Sequence, residues 1–221
     1  MIQKNTSKIV LEEIKTFSLE NFKELCNHLA NHDSDLELIL ENHGYPPMWT
    51  RKNSFETLVH IILEQQVSLA SALATLNKLK KKIKEITPEN ILALSDKEMR
   101  ECYVSRQKNI YIRGLADAIL NKEIDLANLP EMSNSDVRKT LVSLKGIGNW
   151  TVDVYLMSAL QRTDIFPIGD LAAVNALKRL KQLSTKMTKE ELLEITEPWK
   201  PFRSGAAMML WHYYLSTPKT K

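Results

Sequence analysis

The chain has 221 residues, 43 % of them hydrophobic, and only six glycines and eight prolines. That supports a packed core and excludes both a disordered chain and a turn-rich all-β protein. The net charge of +3 is uneven: residues 1–50 carry four basic and eight acidic side chains, which leaves +7 on residues 51–221; such a basic body suits an anionic partner such as nucleic acid, or is an ordinary solvated surface.

Helical periodicity recurs from end to end. Residues 19–30 place Leu19, Phe22, Leu25, Cys26 and Leu29 on one face, and 34–42 repeats the pattern before Gly44, Pro46 and Pro47 break the chain. A helix over 54–64 follows, capped by Ser54, and ends at Gln65-Gln66. Ser68 caps a helix over 69–85 whose lysine-rich end suits the helix dipole. Thr87-Pro88 opens 88–94, Ser95 caps 96–102, and 107–121 forms a longer helix. After a loop over 122–130, Ser133 or Ser135 caps a helix through Val142. A tight turn, LKGIG, leads to an apolar helix over 149–161. Residues 162–169 form a loop, Asp170 opens 171–183, and helices at 188–195 and 199–215 complete an all-α chain without strand patterns.

Cys26 and Cys102 are far apart and form no ligand pair, which argues against a zinc site and excludes a four-cysteine iron–sulfur cluster. Buried thiols in a reducing compartment fit. The five histidines show no metal spacing; His28 and His32 lie one turn apart, with only Asp33 and Asp35 near them. The N-terminal MIQKNTSKIVLEEIK lacks the apolar core of a signal peptide, and no apolar run approaches the ~18 residues that span a membrane. A soluble intracellular protein is expected. No phosphate-cradling P-loop or dinucleotide pattern occurs, so no nucleotide cofactor is expected.

The most specific signal is Leu144-Lys145-Gly146-Ile147-Gly148-Asn149-Trp150-Thr151. Glycines let the backbone adopt positive φ and approach another surface closely. The helix from Asn149 points unbonded N–H groups and its positive dipole end outward, a ready phosphate site, and Lys145 adds charge. Leu144 and Ile147 would anchor the turn in the core.

At this point the sequence resembles the helix-hairpin-helix DNA glycosylases, and within them the 3-methyladenine DNA glycosylase II, or alkylation-repair, branch. Four blocks carry the resemblance, in family order over about residues 55–215. They are Ile62-Leu63-Glu64-Gln65-Gln66-Val67-Ser68; Ser105-Arg106-Gln107-Lys108 with Tyr111-Ile112-Arg113-Gly114-Leu115-Ala116; the hairpin with its following helix; and Phe166-Pro167-Ile168-Gly169-Asp170-Leu171, continued by Glu197-Pro198-Trp199-Lys200-Pro201-Phe202-Arg203-Ser204 and Trp211.

The resemblance implies a two-lobed all-α fold with the active site in the cleft between lobes. Residues 54–162 would form a middle lobe with the hairpin at about 135–161, and residues 1–53 would pack with 163–221 as the second lobe. Asp170 would be the catalytic carboxylate, stabilising an oxocarbenium-like sugar cation or orienting water; an aspartate before an apolar helical run is also a favoured helix cap, and the two roles are compatible. Where relatives that also cut the backbone keep a Schiff-base lysine, two residues past the second hairpin glycine, this chain has Trp150, so a monofunctional enzyme is implied. Trp150, Val154, Tyr155 and Trp211 would line a pocket in which aromatic rings stack on an electron-poor alkylated purine. Val154 stands where relatives often carry an aromatic residue. Gln66 would fill the gap left by the flipped base. Gln65, Arg106, Lys108, Lys145, Gly146, Ile147, Gly148 and Thr151 complete the implied DNA contacts. The carbonyls of Val142, Leu144 and Ile147 would hold a structural monovalent cation, with no other cofactor.

The resemblance implies double-stranded DNA containing damaged bases as the partner of a monomer. The location would be cytoplasmic and nucleoid-associated in a prokaryote, nuclear in a eukaryote. Three rivals stand beside this reading: a non-catalytic hairpin module, a glycosylase for oxidised or mismatched bases, and a purely structural helical protein.

Overall fold

A computed structural model describes residues 15–217, in two compact units: residues up to 49 with 161 onward, and 50–160. The reading of residues 1–14 as lacking a signal-peptide core lies outside the described residues. The described residues are helical, joined by turns, with one isolated bridge and no strand. No helix among them is long and apolar enough to cross a membrane.

The first unit contains α1 (Phe22–His32), α2 (Ser34–His43), α10 (Leu171–Leu180), α11 (Lys189–Thr196) and α12 (Arg203–Ser216). Its two stretches of chain are stitched together where they meet. Thr16 bridges Arg162 in antiparallel fashion, Phe17 N–H donates to the Gln161 carbonyl at 2.9 Å, and Thr163 N–H donates to that of Lys15 at 3.1 Å. Helix α12 carries the core: Ala206, Ala207, Met208, Met209 and Leu210 are buried, and α1, α2 and α10 pack on it. Lys181 pairs with Asp33 at 2.8 Å and Asp35 at 2.9 Å, and the Trp199 indole donates to Asp33 at 2.8 Å, tying the start of α2 to the end of α10.

The second unit contains α3 (Phe55–Glu64), α4 (Leu69–Ile83), α5 (Pro88–Ala93), α6 (Asp96–Glu101), α7 (Arg106–Leu120), α8 (Asn134–Val142) and α9 (Asn149–Ser158). Helix α3 is buried over most of its surface; it packs on α4, α7 and α9, with Leu58, Val59, Ile61 and Ile62 in the core.

The N-terminal ends follow the side chains that cap them: Ser54, Ser68, Thr87, Ser95, Ser133, Thr188 and Asp170 each accept a first-turn backbone N–H. The C-terminal ends come earlier than periodicity predicts. Lys84, Lys122, Gln161 and Gln182 take positive φ at or just past the ends of α4, α7, α9 and α10, ending those helices with no glycine to mark the place. The helix expected over 199–215 is also corrected. Residues 197–199 form a 3₁₀ turn, and Pro201, which has no N–H to donate, separates it from α12. Another 3₁₀ turn, 129–131, lies where a loop is expected. Both cysteines are buried thiols; burial pushes Cys26 up to about 12.

Candidate active site and nucleic-acid interface

In the first unit the loop 163–170 delivers Asp170. It is strapped to the start of α12: Arg203 forks onto Asp164 at 2.6 and 3.0 Å, the Ser204 hydroxyl accepts from Ile165 N–H at 3.0 Å, and Ser204 N–H donates to the Thr163 carbonyl. Asp170 N–H then closes a turn onto the Pro167 carbonyl at 2.8 Å. Oδ1 of Asp170 accepts two donors, Ala173 N–H at 2.9 Å and the Trp211 indole N–H at 3.0 Å. One comes from the helix that Asp170 caps, the other from α12. The carboxylate is therefore held by two elements, and the capping role expected of Asp170 is present.

Trp211 is half-buried and meets the Trp49 ring edge-on, with centroids 6.1 Å apart at 76°. Sequence reasoning missed Trp49. Its only signal was an aromatic residue just past the Gly44–Pro47 break, with nothing local to join it to Trp211.

In the second unit α8 and α9 flank the hairpin. Gly146 has φ +89°, and a Cβ there would run into the ring of Tyr111. Gly148 differs: it caps α9 in extended conformation (φ −100°), without a side-chain cap, and a Cβ there would meet nothing. The first N–H groups of α9 are thus presented beside open space, next to exposed Lys145. Ile147 is buried and Leu144 half-buried, the expected anchors. Arg138 braces the two helices, donating to Asn149 Oδ1 at 3.1 Å and to Asp153 Oδ1 at 2.6 Å. Burial nevertheless pushes the Asp153 carboxyl above its ordinary range, against the pull of Arg138.

The α3–α4 turn presents Gln66 with φ 58°, exposed, and Val67 beside it. A non-glycine residue in the left-handed region is uncommon and is held there by its surroundings. Arg106 and Lys145 line an open pocket of about 370 Å³ together with Gln107, Ile110 and Tyr111.

Three candidates turn inward. The Gln65 side-chain amide donates to the Gly146 carbonyl at 2.9 Å and to the Thr151 hydroxyl at 3.0 Å. Lys108 gives its ammonium to the Leu63 carbonyl at 2.7 Å, and burial lowers its pKa. Tyr155 is fully buried, its hydroxyl donating to Asn53 Oδ1 at 2.6 Å, and burial pushes its pKa up. All three are expected at the DNA contact or the base pocket; here Gln65 and Lys108 are half-buried and Tyr155 is fully buried, each hydrogen-bonded within its own unit. Thr151 is buried beneath Gln65, and Val154 is nearly buried. Trp150 is half-buried at the first turn of α9.

Residues 59–201 match the family model of the HhH-GPD superfamily of base excision DNA repair proteins, and the chain belongs to that family. The chain is 31 % identical over 196 residues to DNA-3-methyladenine glycosylase 1 of Schizosaccharomyces pombe, covering 87 % of this chain and 81 % of that protein. It is 32 % identical over 173 residues to a Bacillus subtilis DNA-3-methyladenine glycosylase, covering 71 % of this chain and 56 % of that one. The structure of a Schizosaccharomyces pombe 3-methyladenine DNA glycosylase (Mag1), in complex with abasic DNA, superposes with a TM-score of 0.78 at 29 % identity, over 85 % of this chain and 95 % of that one.

Proposed function

We propose that this chain is a monofunctional DNA glycosylase. It extrudes an alkylated base, of the 3-methyladenine and 7-methylguanine class, from duplex DNA and hydrolyses its N-glycosidic bond. The observation that carries the reading is the Asp170 carboxylate, fixed by Trp211 and the first turn of α10.

The C1′–N bond breaks with its electron pair passing to the base, and positive charge develops on the sugar. A carboxylate already held in place offsets that charge without reorganising at the moment of reaction. Water then adds to C1′ and sheds a proton, leaving an abasic site. An alkylated purine is cationic and departs without a general acid. Trp150 has no amine to form an imine with the sugar, so the backbone stays intact. Trp211, beside the Asp170 carboxylate, supplies a face on which such a base stacks, and Gln66 fills the vacated stack.

The N–H groups at the start of α9, with Lys145, hold a backbone phosphate. The hairpin also has the carbonyls of Val142, Leu144 and Ile147 for a monovalent cation; that of Leu144 already accepts from Ile147 N–H at 3.1 Å and keeps a second lone pair. The partner is duplex DNA carrying a damaged base, the working unit is a monomer, and the protein resides with the chromosome.

The test is release of base from methylated duplex DNA by wild type and Asp170→Asn, with strand breaks scored before and after alkali. Release by wild type only, with breaks only after alkali, is the expected result. DNA binding without any release of alkylated base would leave a non-catalytic hairpin module.

A further inference from the structure

Gln65 and Gly146 are 81 residues apart, yet the Gln65 side chain joins the α3–α4 turn to the hairpin. Its orientation follows from chemistry: a backbone carbonyl only accepts, so the atom facing Gly146 must be the amide nitrogen. That nitrogen serves two acceptors, the Gly146 carbonyl in the hairpin and the Thr151 hydroxyl in the first turn of α9. Thr151 is 1 % exposed, so water is poorly placed to replace the lost donor.

The residues before Gln65 are tied down as well. Lys108 holds the Leu63 carbonyl, and Arg51 forks onto the buried Glu64 carboxylate at 3.0 and 2.7 Å. Leu63, Glu64 and Gln65 are thus fastened to three different segments, and the next residue, Gln66, projects into solvent with φ 58°. Such a left-handed conformation persists only where neighbours over-determine it.

We propose that Gln65 is a positioning residue that couples the phosphate-gripping hairpin to the Gln66 turn. Capture of the backbone by the hairpin then sets the depth and angle at which Gln66 enters the stack. The coupling rests on the glycosylase reading given above. A side chain replacing a base must be placed within about an ångström, and misplacement on that scale costs up to about 100-fold in rate.

The experiment uses the full chain and the variants Gln65→Leu, Thr151→Val and their combination. Three quantities are read: single-turnover release of base from methylated duplex, affinity for undamaged duplex, and fluorescence of 2-aminopurine placed beside a stable abasic analogue, which reports unstacking on binding alone. Gln65→Leu should slow release about 10- to 100-fold and lose the fluorescence rise, while affinity for undamaged duplex stays within about twofold and the melting curve stays cooperative. Thr151→Val, which removes one acceptor, should give a smaller loss in the same two readouts, and it carries the test if Gln65→Leu does not fold. The combined variant should be no slower than Gln65→Leu, because both act through one contact.

Wild-type release and fluorescence in Gln65→Leu would overturn the coupling. So would parallel losses in release, undamaged-duplex affinity and melting temperature, which mark a merely structural strut. A wild type that releases no alkylated base but shows a Gln65-dependent fluorescence rise would count against the glycosylase reading and in favour of the coupling.

Discussion

The indole N–H of Trp211 and the carboxylate of Asp170 meet at 3.0 Å across 41 positions of sequence. The bond can be removed without removing the ring. Trp211→Phe keeps an aromatic face against Trp49 but takes the indole N–H away from Oδ1. A hydrogen bond to a charged group contributes about 1.5–3 kcal/mol, so single-turnover base release should fall about tenfold or more. An unchanged rate would show that Trp211 serves only as a packing surface.

Capping and catalysis by Asp170 separate by choice of substitution. Asparagine caps helices about as well as aspartate, whereas alanine costs about 1 kcal/mol. Asp170→Asn should therefore melt like wild type and release no base. Asp170→Ala should lose both activity and about 1 kcal/mol of stability in a denaturant titration. Substantial activity in Asp170→Asn would reduce the residue to a cap.

The two hairpin glycines answer to different forces. At Gly146 a methyl group meets the Tyr111 ring at a φ of +89°, so Gly146→Ala should cost about 2–4 kcal/mol by denaturation. At Gly148 nothing in the protein opposes a Cβ. Gly148→Ala should cost at most about 1 kcal/mol of stability yet weaken DNA binding, because the proposed function puts a phosphate in that space. Full DNA affinity in Gly148→Ala would remove the hairpin from the phosphate site.

His60 gives the fold an acid limb. Burial lowers its pKa from 6.5, opposed by Glu64 and assisted by Arg51, and Nε2 lies 3.5 Å from Glu64 Oε1 without forming a hydrogen bond. The unfolded chain therefore binds the proton more readily than the folded one below pH 6.5. The stabilisation is present above pH 6.5 and drains away as pH falls through the lower folded value. His60→Gln should flatten this part of a stability-against-pH curve; an equally steep fall in the variant would assign the acid sensitivity elsewhere.

Lys145 and Lys108 also part company. Lys145 is exposed, and Lys145→Met should lower the slope of log K against log salt by about 0.9 if it neutralises one phosphate. Lys108 is spent on the Leu63 carbonyl, so Lys108→Met should leave that slope alone and lower stability. Equal slopes in wild type and Lys145→Met would place that lysine away from the backbone.

Most of the fold was legible because its signals are local. Ser54, Ser68, Ser95 and Asp170 announce helix starts by their own side chains, and the apolar faces repeat at helical spacing. The ends at Lys84 and Gln182 were not legible, since left-handed φ in a lysine or glutamine follows from tertiary contacts. The same divide runs through the site. Asp170 and the Gly-x-Gly turn stand out as sequence. Trp49 against Trp211, and Gln65 against Gly146, exist only once distant segments meet. Whether Gln65, Lys108 or Tyr155 faces solvent or core depends on partners that sequence spacing does not name.

The stitching of residues 15–17 to 161–163 bears on how the chain is made. Residues 50–160 are contiguous, so a ribosome delivers all of the hairpin-bearing unit before it delivers the second half of the other. The early segment with α1, α2 and Trp49 must wait, its apolar face uncovered, until α12 arrives to fill it. The Asp170–Trp211 clamp closes last of all. A chain stalled at about residue 200 should therefore show a protease-resistant 50–160 fragment beside a cleavable N-terminal segment, with the Asp170 carboxylate not yet clamped by Trp211.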